Sequence, residues 1–160
     1  MDYKIVKKEG FRVIGKEIRT STKNDENFKH IPQFWEECNE NGTADKLSEY
    51  AGDLGLLGIC MEFDPENEEF TYVIGIEKPE QNPMEGLVEK EIQGATWAVF
   101  EAVGPMPGAI QKVWEGIFTE WFPSTGYAHA DAPEFEVYPS GNPYDEDYRS
   151  EVWIPIVDDK

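Results

Sequence analysis

The stretch Ser150-Glu151-Val152-Trp153-Ile154-Pro155-Ile156 carries the alternation from which the fold follows. Side chains alternate between two faces along a strand, so Val152, Ile154 and Ile156 share one face, which indicates a buried core. Glu151 and Trp153 share the other face, and Pro155 marks where the strand stops. A carboxylate beside an indole is typical of a pocket for a flat or cationic molecule. The competing interpretation is an exposed glutamate next to a core tryptophan, which is the commoner arrangement.

A similar strand pattern occurs earlier in the sequence and indicates an internal duplication. Tyr72, Ile74 and Ile76 precede Val152, Ile154 and Ile156 by 80 residues. Two other sets match in the same order: Ile31 and Trp35 precede Ile110 and Trp114 by 79 residues, and Gly10 and Glu17 precede Gly94 and Glu101 by 84. Differences in loop length explain the drift in spacing. Three matched elements in one order favour duplication over chance similarity.

Each copy predicts a strand, a helix and two further strands. Apolar side chains recur at helical spacing over residues 30–40 and 110–121, while residues 41–55 are predicted to be irregular. The strands are predicted at residues 3–21, 56–63 and 70–77 in the first copy, and at 86–103, 134–139 and 150–156 in the second. Residues 3–21 fit one long bent strand or two short ones, broken at Glu9-Gly10 and Gly15. We therefore expect an α+β fold of duplicated strand–helix–strand–strand units, with pseudo-twofold symmetry and a ligand groove between the halves.

The length of the chain and the duplication indicate one domain over residues 1–160. The two pseudo-repeats cover about residues 1–78 and 86–157. The segment at about 79–85 contains Pro79 and Pro83, which is typical of a linker.

The composition points to an acidic protein of the cytoplasm. The formal net charge is −19, which disfavours binding to nucleic acid or anionic membranes, because both attract clustered lysine and arginine. The same charge favours cationic ligands and allows a basic protein partner. The sequence shows no secretory signal and no membrane-spanning run, and Cys38 and Cys60 are predicted to be reduced thiols.

The sequence contains no pattern for a metal ion, a cofactor or a covalent nucleophile. His30 and His129 lie far apart and outside any ligand pattern. The glycines of residues 54–58 precede a strand and are not followed by Lys-Ser/Thr, so they predict no phosphate loop. There is also no Gly-x-Ser-x-Gly turn and no Cys–His pair.

Two carboxylates with aromatic neighbours remain as the candidate site. Glu136 and Glu151 lie on strands predicted to be adjacent, with Tyr138 and Trp153 two residues along them. They fit either a counter-charge for a cationic aromatic ligand or a desolvated carboxylate that acts as general acid or base. A third interpretation is that Tyr138 donates a hydrogen bond to a carboxylate and the cluster satisfies itself. The groove lining is expected on strand faces turned away from the helices, where Trp97 would join these residues.

A difference between the two copies favours a site at Glu151. The first-copy strand carries Thr71 and Val73 where the second copy carries Glu151 and Trp153. A duplicated core needs neither the charge nor the indole, so a binding role explains both residues better than packing does.

The aromatic face of the second helix is predicted to be core. Trp114, Phe118 and Trp121 fall at helical spacing with the aliphatic residues around them, and this spacing accounts for them without a ligand.

Several motifs of the second copy resemble those of a known family. They are Gly94-Ala95-Thr96-Trp97-Ala98-Val99-Phe100, Glu120-Trp121-Phe122-Pro123-Ser124-Thr125-Gly126-Tyr127, Phe135-Glu136-Val137-Tyr138 and Glu151-Val152-Trp153-Ile154-Pro155-Ile156. In order and spacing they are similar to the GyrI-like family, the effector-binding domain found at the C-terminus of some AraC- and MerR-type multidrug regulators. Phe11-Arg12-Val13-Ile14-Gly15 extends the resemblance to the first copy, so that it covers nearly the whole chain.

The resemblance implies a duplicated fold that binds small, often aromatic and cationic, drug-like molecules between its halves. It implies that Glu151 is the charge partner in the groove, and that Glu136 and Tyr138 form a Glu-x-Tyr strand motif that lines or braces the groove. Some members of the family are hydrolases of strained DNA-alkylating toxins, and one branch inhibits DNA gyrase. This sequence shows no helix-turn-helix, so we expect it not to read DNA itself.

The sequence therefore predicts a small-molecule-binding domain that senses or sequesters amphipathic cations without a cofactor or metal. The predicted ligand-binding residues are Glu151, Trp153, Tyr138, Glu136 and Trp97. One alternative is a hydrolase of strained electrophiles that uses Glu151 or Glu136 as its catalytic residue. Another is an acidic protein-interaction module that inhibits a DNA-binding enzyme such as gyrase.

Overall fold

A single antiparallel sheet forms the body of the computed structural model, which describes residues 2–158. Its strands are β1 (Lys4–Lys8), β2 (Phe11–Ser21), β3 (Leu56–Asp64), β4 (Glu69–Glu77), β5 (Val88–Ile92), β6 (Ala95–Val103), β7 (Tyr127–His129), β8 (Glu134–Tyr138) and β9 (Arg149–Asp158). They lie in the order β1-β6-β9-β8-β3-β4-β2-β5, and β7 pairs with β9 beside this path. The predicted α+β class is confirmed.

Helices cover one face of this sheet. They are α1 (Glu26–Glu40), α2 (Thr43–Glu49) and α3 (Gly108–Gly116), and α3 continues through a π-helical turn, Ile117–Trp121, into a last turn, Phe122–Ser124. Helices α1 and α2 contact the first half of the sheet, while α3 contacts β6 and β9 in the second half. Among the described residues, no helix is long and apolar enough to cross a membrane.

The sheet has the pseudo-twofold symmetry that the duplication predicts. The order β1-β6-β9-β8 on one side of the centre corresponds to β5-β2-β4-β3 on the other. At the centre, β3 pairs with β8, and Gly58 lies directly opposite Glu136. The pseudo-twofold axis therefore passes between these two residues.

The two halves exchange their first strands. Phe11 of β2 pairs with Ile92 of β5, and the equivalent residue Ala95 of β6 pairs with Lys8 of β1. The connections cross at Gly10 and Gly94, where a Cβ on Gly94 would lie only 3.1 Å from the Gly10 nitrogen. Residues 3–21 thus form the two strands that were one of the two predictions for them, with the break at Glu9-Gly10, whereas residues 86–103 form two strands where one was predicted. The strand after the predicted linker belongs to the first half of the sheet.

The strand register shows that the sequence-based alignment of β4 with β9 is off by two residues. Ile14 pairs with Ile76 in the first half, and its equivalent Ala98 pairs with Ile154 in the second. Ile76 therefore corresponds to Ile154, two residues away from the alignment that the sequence favoured. The counterparts of Glu151 and Trp153 are Val73 and Gly75, so the difference between the halves remains, with other residues on the first-half side.

Helix α2 was not predicted, because glycines and polar residues dominate its surroundings. Gly42 adopts a left-handed φ of 81°, which glycine does at little cost, and it turns the chain after α1. The Asn41 side-chain oxygen accepts the Thr43 N–H at 3.0 Å, and Ala44 and Leu47 bury the inner face of the new helix.

The face of the sheet without helices carries a hydrophobic core of its own. Four aromatic side chains from both halves meet there, and ring centroids of Trp97 and Trp153 lie 6.0 Å apart. Phe135 stacks on Trp153 at 5.1 Å, and Phe11 meets the edge of Phe135 at 6.2 Å. Each buried aromatic side chain contributes about 1.5–3 kcal/mol to folding, so this cluster joins the two halves firmly.

Candidate functional site

A cleft of about 1910 Å³ opens on the helix-bearing face, at the boundary between the halves. Its floor is formed by β3 and β8, and residues of α1 and α3 form opposite walls. Gly58 has no side chain, and the Tyr72 hydroxyl and the Trp35 ring fill the space beside it, opposite Glu136 on the neighbouring strand. The pseudo-twofold axis thus runs through the floor of the cleft.

Glu136 is held at the floor by neutral donors. The Trp114 Nε1–H donates to Glu136 Oε2 at 2.8 Å, and the Tyr138 hydroxyl donates to Oε1 at 2.7 Å. No lysine, arginine or histidine of the described residues forms an ion pair with this carboxylate. The Tyr138 hydrogen bond was one of the sequence-based interpretations and is present in the structure.

Burial raises the pKa of Glu136, and the two hydrogen bonds offset this only in part. The nearby Glu134 carboxylate raises the pKa of Glu136 further. A half-buried carboxylate with a raised pKa and no cationic partner among residues 2–158 marks this position as a candidate functional site.

Glu134, in contrast, has a partner within the protein. His129 Nε2 lies 2.8 Å from Glu134 Oε2, and His129 Nδ1 lies 2.6 Å from the Ala130 carbonyl oxygen. Both ring nitrogens face acceptors, so the imidazolium form satisfies both contacts. The hydrogen bond to Glu134 accordingly raises the pKa of His129. Within residues 2–158, the charge at the floor that lacks a counter-ion is therefore the one on Glu136.

Aromatic side chains from both halves form the walls around Glu136. Trp35 of α1 meets Tyr138 edge-to-face with ring centroids 5.3 Å apart, and its Nε1–H donates to the Tyr72 hydroxyl at 2.8 Å. Trp114 of α3 is parallel to Phe118 at 6.2 Å. Aromatic faces attract cations and flat apolar groups, so the walls complement the charge on the floor.

The lining of the cleft carries acids and no bases. Its acidic residues are Glu36, Glu40, Asp45, Asp53, Asp64, Glu68, Glu69, Glu134 and Glu136. Among the described residues, no lysine, arginine or histidine lines it. The field in the cleft therefore favours cations and repels anions.

The thiol in the cleft is chemically inert. Cys60 lies on β3 among the lining residues, and burial raises its pKa well above the usual range, with Glu134 and Glu136 adding to this. The thiol stays protonated at neutral pH, so it is a poor nucleophile.

The structure brings only two of the predicted site residues into the cleft. Glu136 and Tyr138 lie on its floor. Glu151, Trp153 and Trp97 lie on the opposite face of the sheet, where the two indoles are buried in the aromatic core and the Trp153 Nε1–H donates to Glu151 at 3.0 Å.

The prediction that Glu151 is the charge partner in the groove is wrong in its geometry. Strands β8 and β9 are neighbours as predicted, but Glu151 pairs with Val137, and Glu136 pairs with Val152. Neighbouring pairs point to opposite faces, so the two carboxylates lie on different sides of the sheet. The expectation that the groove lies on the face away from the helices is corrected for the same reason.

The aromatic face of the second helix is only partly core. Trp121 is buried, whereas Phe118 is 51% exposed and borders the cleft, and Trp114 is half-buried beside Glu136. Phe118 lies four residues after Trp114, on the same side of the helix, and their rings are parallel. The match of Trp35 with Trp114 in the duplicated pattern was the sequence signal for both walls. Tyr72 gave no such signal.

Comparison with known proteins agrees with this fold. A model for the family of integron-associated effector-binding proteins matches residues 4–156. No protein among those with curated descriptions matches the sequence.

Several solved structures share the fold over nearly the whole chain. SAV2435, solved with tetraphenylphosphonium bound, is 23% identical, with a TM-score of 0.86 over 98% of this chain and 94% of its own. A protein of Staphylococcus aureus MU50 is 25% identical, with a TM-score of 0.82 over 98% of both chains, and its name assigns it to bacterial transcription regulation. The integron cassette protein VCH_CASS2 from the mobile metagenome of Vibrio cholerae is 18% identical, with a TM-score of 0.72 over 97% of this chain and 95% of its own.

Proposed function

Because the chain belongs to the family of integron-associated effector-binding proteins, we propose that its cleft binds amphipathic organic cations. Glu136 is the counter-charge, and Trp35, Trp114 and Tyr138 supply the ring surfaces. The observation that carries the proposal is a carboxylate on the floor of an aromatic cleft that has no cationic partner in the part of the chain that the structure describes. A bound cation would supply the partner that this carboxylate lacks.

The energetics of the cleft support a cation in particular. A cation over an aromatic face gains about 0.5–2 kcal/mol, with the larger values where water is excluded. The acidic lining adds attraction at longer range and speeds capture at low salt. The fold neighbour SAV2435 was solved with the lipophilic cation tetraphenylphosphonium, which makes this compound a suitable probe.

The biological role that fits this site is that of a sensor or a sequestering protein. The strands of the sheet form the floor of the cleft and the helices form its walls. Ligand binding is therefore the role that we assign to this fold. We also propose that the protein acts in the cytoplasm and that its ligand binding is linked to transcription. A protein partner would bind its acidic surface.

Charge selectivity gives a direct test of the proposal. Tetraphenylphosphonium and tetraphenylborate have nearly the same shape and opposite charge. We expect tetraphenylphosphonium to quench the tryptophan fluorescence with saturation and to bind at least about 100-fold more tightly than tetraphenylborate, because the cleft is acidic throughout. Isothermal titration measures both affinities. Equal affinity for the two ions would show that the cleft selects by shape and would contradict the proposal.

The affinity for the cation should also depend on pH. The pKa of Glu136 is raised above its ordinary value of 4.5, so the carboxyl group takes up a proton at a higher pH than an ordinary glutamate does. Protonation removes the counter-charge, and the affinity for tetraphenylphosphonium should therefore be highest near neutral pH and fall as the pH drops towards 4.5. Titrations from pH 7.5 down to pH 4, checked for folding by circular dichroism, measure this. Constant affinity over that range would argue against Glu136 as the counter-charge.

Hydrolysis of a strained electrophile is the second candidate function. The observation that favours it is the raised pKa of Glu136, which suits a carboxyl group to act as general acid in an apolar cleft. Mass spectrometry of an electrophilic cyclopropane compound after incubation distinguishes the two functions. Recovery of unchanged compound would leave binding as the function.

A further inference from the structure

Tyr72 provides a second polar group on the floor of the cleft, next to Glu136. The position where a Gly58 Cβ would stand lies 2.2 Å from the Tyr72 hydroxyl oxygen, so this oxygen occupies the space above Gly58. Gly58 pairs directly with Glu136 across the pseudo-twofold axis. The hydroxyl and the carboxylate therefore lie side by side at the centre of the floor.

The Tyr72 hydroxyl has an unused hydrogen. Its oxygen accepts the Trp35 Nε1–H at 2.8 Å, and its own O–H meets no acceptor within hydrogen-bonding distance among residues 2–158. The ring is only 2% exposed, and burial raises the pKa of Tyr72 well above its usual range, so the group remains a neutral donor. Tyr72 lines the cleft, so a ligand bound there could accept this O–H.

The two halves differ at this position, so the donor belongs to one side of the cleft only. By strand register, the counterpart of Tyr72 in β9 is Ser150. Ser150 is buried, and its hydroxyl lies 3.7 Å from the sulfur of Met106. The floor thus has a negative charge on its β8 side and a hydrogen-bond donor on its β4 side. Together the two groups can set the orientation of a ligand.

We infer that Tyr72 determines specificity, and that the preferred ligand carries a hydrogen-bond acceptor close to its cationic centre. An ether, carbonyl or ring nitrogen on the β4 side would accept the Tyr72 O–H while the positive charge faces Glu136. This rests on the proposed function, and it narrows the ligand class from lipophilic cations in general to cations with an adjacent acceptor.

A matched pair of phosphonium ions tests the inference. (2-Methoxyethyl)triphenylphosphonium and n-butyltriphenylphosphonium differ by an ether oxygen in place of one methylene. Their affinity ratio is measured by isothermal titration in the wild type and in Tyr72→Phe. We expect Tyr72→Phe to shift the ratio against the ether compound by about threefold to tenfold, the effect of one hydrogen bond in a dry site.

A second variant reaches the same hydroxyl from the floor. Gly58→Ala places a methyl group where the Tyr72 oxygen now lies, so it displaces the donor without removing it. We expect the same shift in the affinity ratio. Glu136→Gln is the control, because it weakens both ions and leaves their ratio near that of the wild type. Thermal unfolding of each variant shows that the fold is kept.

The outcomes separate this inference from the proposed function. A shifted ratio in Tyr72→Phe and in Gly58→Ala supports it. Tight binding of both ions with an unchanged ratio in the two variants overturns it and leaves the cation site standing. Failure of both ions to bind the wild type overturns the proposed function and this inference together.

Discussion

Glu136→Gln is expected to lower the affinity for tetraphenylphosphonium by about 10- to 100-fold. The change keeps the size of the side chain and removes the negative charge at the floor of the cleft. A hydrogen-bonded or paired charge in a dry site is worth about 1.5–3 kcal/mol, which corresponds to this loss. Fluorescence quenching of the cleft tryptophans and isothermal titration measure it.

Glu151→Gln is the matched control for this change. Glu151 is also a half-buried glutamate that accepts a tryptophan N–H, but it lies on the other face of the sheet. We expect it to change the affinity less than twofold. A large loss in Glu151→Gln with little loss in Glu136→Gln would reverse the assignment of the two carboxylates.

The unfolding temperature of Glu136→Gln shows whether a loss of binding comes from a loss of folding. A carboxyl group whose pKa is raised in the folded state stabilises the fold below its unfolded pKa, and this contribution is lost as the pH rises through the folded pKa. The charged form therefore weakens the fold at neutral pH, and the glutamine variant should unfold at the same temperature or a higher one at pH 7. The difference should shrink towards pH 4.

Gly15→Ala is expected to destabilise the fold strongly, by at least about 3 kcal/mol. Gly15 pairs with Gly75 between β2 and β4, where the two backbones approach closely. An added Cβ would lie 2.1 Å from the Ile74 carbonyl oxygen and 2.6 Å from the Gly75 Cα. Both are backbone atoms of a paired strand, so no side chain can move aside. The melting temperature should fall by about 6–12 °C for a chain of this size.

Gly108→Ala provides the comparison for this prediction. Gly108 is the first residue of α3, and an added Cβ there meets no atom within 4 Å. Alanine favours helix more than glycine does, so the melting temperature should stay the same or rise slightly. If Gly15→Ala also melted like the wild type, the close approach of β2 and β4 would not be the reason for glycine at this position.

The sequence alone predicted the α+β class, the duplication and most of the strands and helices, but not α2 or the exchange of first strands between the halves. Alternation along Val152, Ile154 and Ile156 predicted the core face of β9, and helical spacing predicted most of α1 and α3. The matched Trp35 and Trp114 predicted the duplication. The alternation and the helical spacing depend on residues close to one another in the chain, and the structure keeps both.

Only the tertiary structure decided which carboxylate lines the cleft. Glu136 and Glu151 lie on neighbouring strands, and a pairing shifted by one residue would have placed both on one face. Register between strands is set by contacts that are distant in sequence, which no local pattern encodes. The same holds for the Tyr72 hydroxyl, which reaches the floor because Gly58, across a strand boundary, leaves room for it. The chain specifies its fold through nearby residues, and its site through the register in which the two halves meet.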